Sequence, residues 1–310
     1  MIQAGLVSGG FLIASPLKAM NALTAKSTAL RELLNQVVVM HSNDLHNFIS
    51  AEQIGKRSGL GGLKNIQQHL NKMATPQLLV DAGDFLDVKA GYAQNCEMIN
   101  QMNQIGYHAA AVGNREIENG QEYLSSLVPL MKFPLVNCNY VFEDPELKQK
   151  IKEYVIIRSG KYKVGITGVG VDPTSYMNGI AWHHPYNKAN EVAAYLKHHH
   201  QCDLILCLSH LGYEQVNRAP SNIEFATASE NIDILISGHG NTMTPNFMVL
   251  KNQQKQQVLL SHAGLSGVLI KQITIGFNDS NAMNKISCKN FIPGSTSQVS
   301  PYHQLKEIAS

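Results

Sequence analysis

Val37-Val-Val-Met-His-Ser-Asn-Asp-Leu-His46 is an apolar run of strand length that ends in a carboxylate and an imidazole two residues apart. A strand delivers its last side chains to one edge of a sheet, and positions i and i+2 project the same way. Asp44 and His46 are thereby placed to grip one metal ion. In isolation the same pattern also suits a hydrogen-bonded turn, which both residue types favour. Its recurrence sets it apart. Leu78-Leu-Val-Asp-Ala-Gly-Asp84 ends in Asp84, and Ala109-Ala-Ala-Val-Gly-Asn-Arg-Glu116 carries Asn114. Leu204-Ile-Leu-Cys-Leu-Ser-His210 ends in His210, and Ile234-Leu-Ile-Ser-Gly-His-Gly-Asn241 ends in His239 and Asn241. Five apolar runs thus end in two Asp, three His and two amides. Strands buried on both faces read as continuous apolar runs, and sheets of that kind carry their functional groups at the strands' carboxyl ends.

Between these runs, amphipathic helices are expected over Gly91 to Ile105, Gln121 to Met131 and Asn187 to His199. Two hairpins, Glu153 to Gly170 and Asn246 to Ile275, add antiparallel strands. The 310 residues are 44% hydrophobic, enough for a large core, and no Pro/Ser linker divides them. The pattern fits an α/β protein built as a four-layer αββα sandwich, two mixed β-sheets packed together with helices outside. The expected organisation is a leader over 1–30, one catalytic domain over 36–280 and a C-terminal tail over 281–310.

The ordered motifs Asn43-Asp-Leu-His46, Gly83-Asp84, Gly113-Asn-Arg-Glu116, Ser209-His210 and Gly238-His-Gly-Asn241 resemble those of the calcineurin-like metallophosphoesterases. The branch they resemble most is the bacterial 5′-nucleotidase and UDP-sugar hydrolase type, whose third motif reads G-N-H-E-F-D-N-G where this chain has Gly-Asn-Arg-Glu-Ile-Glu-Asn-Gly over 113–120. Gly61-Gly-Leu-Lys64 and His262-Ala-Gly264 also fall where that branch has a Gly-Gly turn and a Q-A-G segment. The resemblance implies the metallo-dependent phosphatase fold and two divalent metal ions, Mn, Zn, Fe, Co or Mg. Asp44, His46 and Asn241 would bind one ion, Asn114, His210 and His239 the other, with Asp84 bridging. It further implies a hydroxide between the metals that attacks phosphorus in line, in a small phosphorylated substrate such as a nucleotide or nucleotide sugar.

The chain departs from that family at three positions. Asn241 stands where relatives carry Gln or His and is one methylene shorter than Gln. Arg115 occupies the position of a His that contacts phosphate and assists the leaving group, and Glu118 replaces the Asp coupled to that His. Arg115, Glu118 and Asn114 are therefore the candidate catalytic residues. A guanidinium stays protonated, so Arg115 can bind phosphate but cannot act as a general acid. A poor alkoxide leaving group would suffer most from that loss and a phosphate or nucleotide anion least. Arg115 and Glu118 also have the i, i+3 spacing of a simple ion pair. The alternative reading is a catalytically impaired metal- and phosphate-binding subunit. Full-length nucleotidases of this branch carry a second, nucleoside-binding domain; here either the catalytic domain reads the substrate alone or, the slightly favoured expectation, a separately encoded C-terminal-domain protein supplies the other half.

The segment Ile2-Gln-Ala-Gly-Leu-Val-Ser-Gly-Gly-Phe-Leu-Ile-Ala-Ser-Pro-Leu-Lys18 is too short and glycine-rich for a membrane span. It resembles the middle of a twin-arginine export signal whose arginines would lie upstream of Met1, the first Arg here being Arg31. A periplasmic or otherwise exported protein is the expectation. The five cysteines, 96, 138, 202, 207 and 288, have no C-x-x-C spacing and read as small hydrophobes. His198-His-His200 reads as a solvated helix end. A formal net charge of +2 from 25 basic and 23 acidic residues gives no electrostatic case for nucleic acid or a membrane surface.

Overall fold

A computed structural model describes residues 34–54, 57–73, 77–175, 177–214, 220–240 and 247–295. The first strand, β1 (Gln36–Ser42), is buried along all but its first residue, as the apolar run requires. The chain continues through the hairpin β2 (Glu52–Ile54) and β3 (Arg57–Leu60), helix α1 (Leu63–Leu70), β4 (Leu78–Asp81), α2 (Tyr92–Ile105) and β5 (Ala109–Ala111). Then come α3 (Asn114–Ile117), α4 (Gln121–Leu127), β6 (Leu135–Val136), β7 (Tyr140–Phe142) and α5 (Pro145–Lys150). The middle of the chain forms β8 (Tyr154–Ser159), β9 (Tyr162–Gly170), β10 (Ile180–Trp182), α6 (Pro185–His198), β11 (Leu204–His210), α7 (Asn222–Ala228) and β12 (Ile234–Ser237). Four strands close it: β13 (Met248–Lys251), β14 (Gln257–His262), β15 (Ile270–Phe277) and β16 (Met283–Phe291).

Two six-stranded mixed sheets result, ordered β16-β15-β1-β4-β5-β6 and β13-β14-β12-β11-β9-β8. In each, four consecutive strands run parallel, β1-β4-β5-β6 and β14-β12-β11-β9, with antiparallel strands at the flanks. The two-residue period of a strand sorts the side chains into layers. Val37, Val39, Leu78 and Val80 of the first sheet pack between the sheets with Leu204, Leu206, Ile234 and Ile236 of the second. Met40 and Leu79 point the other way, onto Leu63, Ile66, Met98, Met102 and Leu124 of the covering helices. Ile205, Cys207 and Leu235 do the same against Ala189, Val192, Leu196 and Phe225. Helix, sheet, sheet, helix is the expected four-layer sandwich.

Several boundaries depart from the sequence expectation for local reasons. The helix expected over Gln121 to Met131 stops at Leu127 and tightens into a 3₁₀ turn over Val128–Leu130, where Pro129 has no N–H to continue the α pattern. The helix expected from Asn187 starts two residues earlier, with Pro185 in its first turn. The segment Asn246 to Ile275 is not one hairpin. β13 and β14 pair in the second sheet, while β15 crosses to the first and lies antiparallel to β1. The tail expected over 281–310 instead begins with β16, which pairs along the whole of β15. Cys138, Cys202 and Cys207 are buried and all five cysteines are free. His199 and His200 pack their rings on Tyr195, and His200 Nε2 is 3.0 Å from the Tyr154 hydroxyl. Residues 1–33, including the expected leader, lie outside the described residues. No described helix is long and apolar enough to cross a membrane.

Candidate metal centre

The carboxyl ends of β1, β4 and β5 in one sheet and of β11 and β12 in the other meet at one edge of the sandwich. There the sequence leaves its regular strands and enters turns stitched to one another. Asp44 N–H donates to Gly83 O and His46 N–H to Asp84 O, both at 2.9 Å, joining the turn after β1 to the turn after β4. Asp44, His46, Asp84 and His239 have φ of 51°, 47°, 60° and 62°. Such left-handed values are uncommon outside glycine, and strained backbone of this kind concentrates at functional sites.

Two groups of ligand-type side chains converge, Asp44 with His46 and Asp84, and Asp84 with His210 and His239. Within each group the candidate ligand atoms all lie within 4.8 Å of one another, and Asp84 is common to both. His210 Nε2 is 3.2 Å from Asp84 Oδ2, and His46 Nε2 is 3.7 Å from the same oxygen and 3.8 Å from Asp44 Oδ1. The other ring nitrogen of His210 donates to Ala82 O at 2.8 Å, so Nε2 is aimed at Asp84. That is the tautomer a metal-binding imidazole adopts when a carbonyl fixes its second nitrogen. His46 Nε2 and His210 Nε2 are buried and turned toward the carboxylates of Asp84 and Asp44. Asn114, at the start of α3, accepts a 2.9 Å bond from His239 Nδ1 through its Oδ1. The sixth predicted ligand among the described residues thus joins the cluster, while Asn241 lies outside them.

The electrostatics express the same convergence. Burial opposes ionisation of Asp84, but the charge on His210 and hydrogen bonds from His210, His46 and the Arg115 N–H outweigh it and hold the carboxyl well below its usual range. For His210 burial opposes protonation, yet Asp84 and Asp44 raise its pKa to about 10. The pocket around Asp84 thus favours positive charge. A divalent cation would supply that charge and take the place of a proton on His210. His239 is shifted down, first by burial and then by the neighbouring His210.

Glu116, the last residue of the third motif, pins the turns beneath the site. It is fully buried, and its two oxygens accept the N–H groups of Asp84 at 2.9 Å, Gly113 at 2.8 Å and Leu86 at 3.0 Å. Burial, then the charge of Asp84, pushes its pKa up to about 8. The sequence signal was its place at the third position of a helix that starts after Gly113, where a Glu side chain reaches back to the N-cap N–H. Arg115 is set over Asp84, its N–H donating to Asp84 Oδ1 at 2.8 Å and its Nε 3.7 Å from Oδ2. Its carboxylate partner at the far end is Asp87, with Nη1 to Oδ1 at 3.0 Å. Among the described contacts Arg115 pairs with Asp87, not with Glu118. Glu118 caps the short α3 through its backbone N–H and is exposed. Asp87 carries no signal in the sequence, since only the fold brings the two turns together.

The sequence pattern of the calcineurin-like phosphoesterases matches residues 37–241, most of the chain. The chain belongs to the calcineurin-like phosphoesterase family. Among curated proteins it is 25% identical over 252 residues to Protein UshA of Escherichia coli, covering 74% of this chain and 45% of that protein. It is 27% identical over 223 residues to the 5′-nucleotidase of Vibrio cholerae, covering 66% of this chain and 40% of that protein. The chain therefore spans less than half the length of these relatives. Among solved structures it superposes on a 5′-nucleotidase precursor from Thermus thermophilus with a TM-score of 0.74 at 21% identity, covering 88% of this chain and 57% of that one. The family is metal-dependent, and the two converging groups are this chain's candidate metal-binding residues.

Proposed function

We propose that this chain is a dinuclear-metal phosphoester hydrolase acting on small phosphorylated substrates of the nucleotide or nucleotide-sugar class. The observation that carries the reading is that two three-residue ligand groups share the one carboxylate of Asp84. Two divalent cations side by side repel strongly, and an anion common to both makes the pair tolerable. Asp44 and His46, with Asn241, would hold one ion, and Asn114, His210 and His239 the other. The buried Nε2 atoms of His46 and His210, converging on the shared Asp84 carboxylate, fit such ions, and the mixed nitrogen and oxygen donors suit Mn²⁺, Fe²⁺, Zn²⁺ or Co²⁺. Bound there, the cations supply positive charge to the phosphoryl oxygens and lower the pKa of water toward neutrality.

The protein's own groups supply the orientation. Ala82 O fixes the His210 ring, and Glu116 pins the Asp84–Leu86 turn through its backbone N–H groups. Arg115, partly exposed at the mouth, offers a permanently charged planar donor to phosphate oxygens. The relatives' printed names, 5′-nucleotidase among them, support this substrate class. A second reading, favoured by the engagement of Arg115 with Asp84 and Asp87, is a slow or inactive phosphate-ligand-binding subunit that works with a separately encoded nucleoside-binding protein. Export to the periplasm, which rests on the sequence of residues 2–18, belongs to the same proposal. Phosphate release from 5′-nucleotides and UDP-sugars by Mn²⁺-reconstituted protein separates the two readings. Turnover abolished in Asp84→Ala is the expected result, and a wild type that binds metal but releases no phosphate favours the second.

A further inference from the structure

Two short motifs, Gly61-Gly-Leu-Lys64 and His262-Ala-Gly264, are not among the candidate ligands, yet the fold brings both to Asp44. Strand β14 ends at His262, in register beside Ser237 of β12, and the chain then turns through Leu265–Gly267. In that turn Ser266 stands at φ 55°. Its N–H donates to the Asp44 carbonyl at 2.8 Å, and its own carbonyl accepts the N–H of Gly62 at 2.9 Å. A Cβ on Gly61 would stand 2.7 Å from the same Ser266 oxygen, so the Gly-Gly turn lies against it with no room for a side chain. Since the Asp44 N–H is on Gly83 O, the backbone of this ligand is gripped from two sides.

Its carboxylate is held separately. Asn43, one residue past β1, is fully buried, and its side-chain amide reaches in two directions. Oδ1 accepts the N–H of Ala263, one residue past β14, at 2.9 Å, while Nδ2 donates to Asp44 Oδ2 at 2.6 Å. A backbone N–H can only donate and an ionised carboxylate can only accept, so the two bonds permit one orientation of the amide. β1 and β14 belong to different sheets, and the amide ties them together at the edge where the candidate ligands converge. With Oδ2 engaged by Asn43, Asp44 Oδ1 is the oxygen that lies 3.8 Å from His46 Nε2. A carboxylate hydrogen-bonded through one oxygen presents the other to a cation in a fixed direction. Asp44 belongs to the ligand group of His46 and not to that of His210 and His239.

Building on the two-metal reading, we propose that Asn43 is the positioning residue of the first metal site: its amide, anchored on Ala263, commits Asp44 Oδ1 to the ion held with His46. The contact bears on one ligand group only, so its removal changes the affinity of one site and spares the other.

The test titrates Mn²⁺ into the full chain by calorimetry, in two backgrounds that separate the ions. His239→Ala removes a ligand of the second group and keeps the first, and His46→Ala does the reverse. Asn43→Leu keeps the branched shape of Asn without its donor or acceptor. It is expected to weaken binding about 10–100-fold in the His239→Ala background and to leave it unchanged in the His46→Ala background. A side chain needed for packing alone would lower Tm without choosing between the sites. Asn43→Ser removes the same bonds with less bulk and is expected to show the same selective loss; melts without metal identify the variant that stays folded at the titration temperature. Unchanged binding in the His239→Ala background, or equal loss in both backgrounds, overturns the positioning role and leaves the two-metal reading in place. A wild type that binds a single ion overturns the two-metal reading, and the assignment of Asn43 to a first site with it.

Discussion

Asp84 stands at φ 60° with its N–H on Glu116 and its carboxylate within reach of His46, His210 and Arg115. Both carboxyl oxygens of Glu116 serve as acceptors, for the N–H groups of Asp84, Gly113 and Leu86. Replacing it by Gln turns an NH₂ toward at least one of those donors. A buried donor left unsatisfied costs about 1–3 kcal/mol, and loss of such an outer contact lowers metal affinity about 10–100-fold. Glu116→Gln is therefore expected to lower Tm and to weaken Mn²⁺ binding in a titration, although it touches no ion. Unchanged Mn²⁺ affinity would show that the Asp84 turn holds itself. At this scale the sequence showed which side chains are ligand-like and which position had become Arg. It did not show Asp87, because a contact between residues 28 apart, both in turns, leaves no periodic trace.

At the scale of the element, the site is a set of strand ends whose turns lie too close for extra atoms. Gly83 has φ +96°, and a Cβ built on it would stand 2.8 Å from His210 Nδ1 and 2.9 Å from Gly113 N. Gly83→Ala combines a backbone strain of about 1–2 kcal/mol with displacement of the His210 ring from Ala82 O. A lower Tm and weaker binding of metal are the expected outcomes, read by thermal melts with and without Mn²⁺. A variant as stable and as metal-avid as the wild type would contradict the packing described. Apolar runs such as 204–210 were legible as strands because both faces are covered. β16 was not, since its residues alternate between exposed and half-buried and include Asn284, Lys285 and Lys289, a weak signal at a sheet edge. The crossing of β15 to the other sheet was equally hidden, because sequence gives a strand's character but not its partner.

Across the whole molecule, two sheets must be held in register for the candidate ligands that follow β1 and β4 to meet His210 at the end of β11 and His239 just after β12. His41, fully buried on β1, contributes a bond from its Nε2 region to Ser261 Oγ of β14 at 2.8 Å, one sheet to the other. Burial, then the nearby Lys271 and His262, hold its pKa well below 6.5, so it is neutral in the folded protein. The unfolded chain takes up a proton there that the folded chain refuses. Stability from this group is present above pH 6.5 and is lost as pH falls below it, by up to about 1.4 kcal/mol per pH unit until the depressed folded value is reached. Thermal melts of metal-free protein between pH 7.5 and 5.5 are expected to show a decline that is shallower in His41→Gln, and identical slopes in the two proteins would exclude His41 as its source.

In the proposed centre, Asp84 is shared by two metal sites, each drawing candidate ligands from both sheets. Metal content after reconstitution and desalting, measured by mass spectrometry on wild type and on Asp84→Asn, His46→Ala and His239→Ala, tests it most directly. Two ions per wild-type chain, one in each histidine variant and close to none in Asp84→Asn is the predicted result. A wild type that holds a single ion, or an Asp84→Asn variant that still holds two, would contradict it.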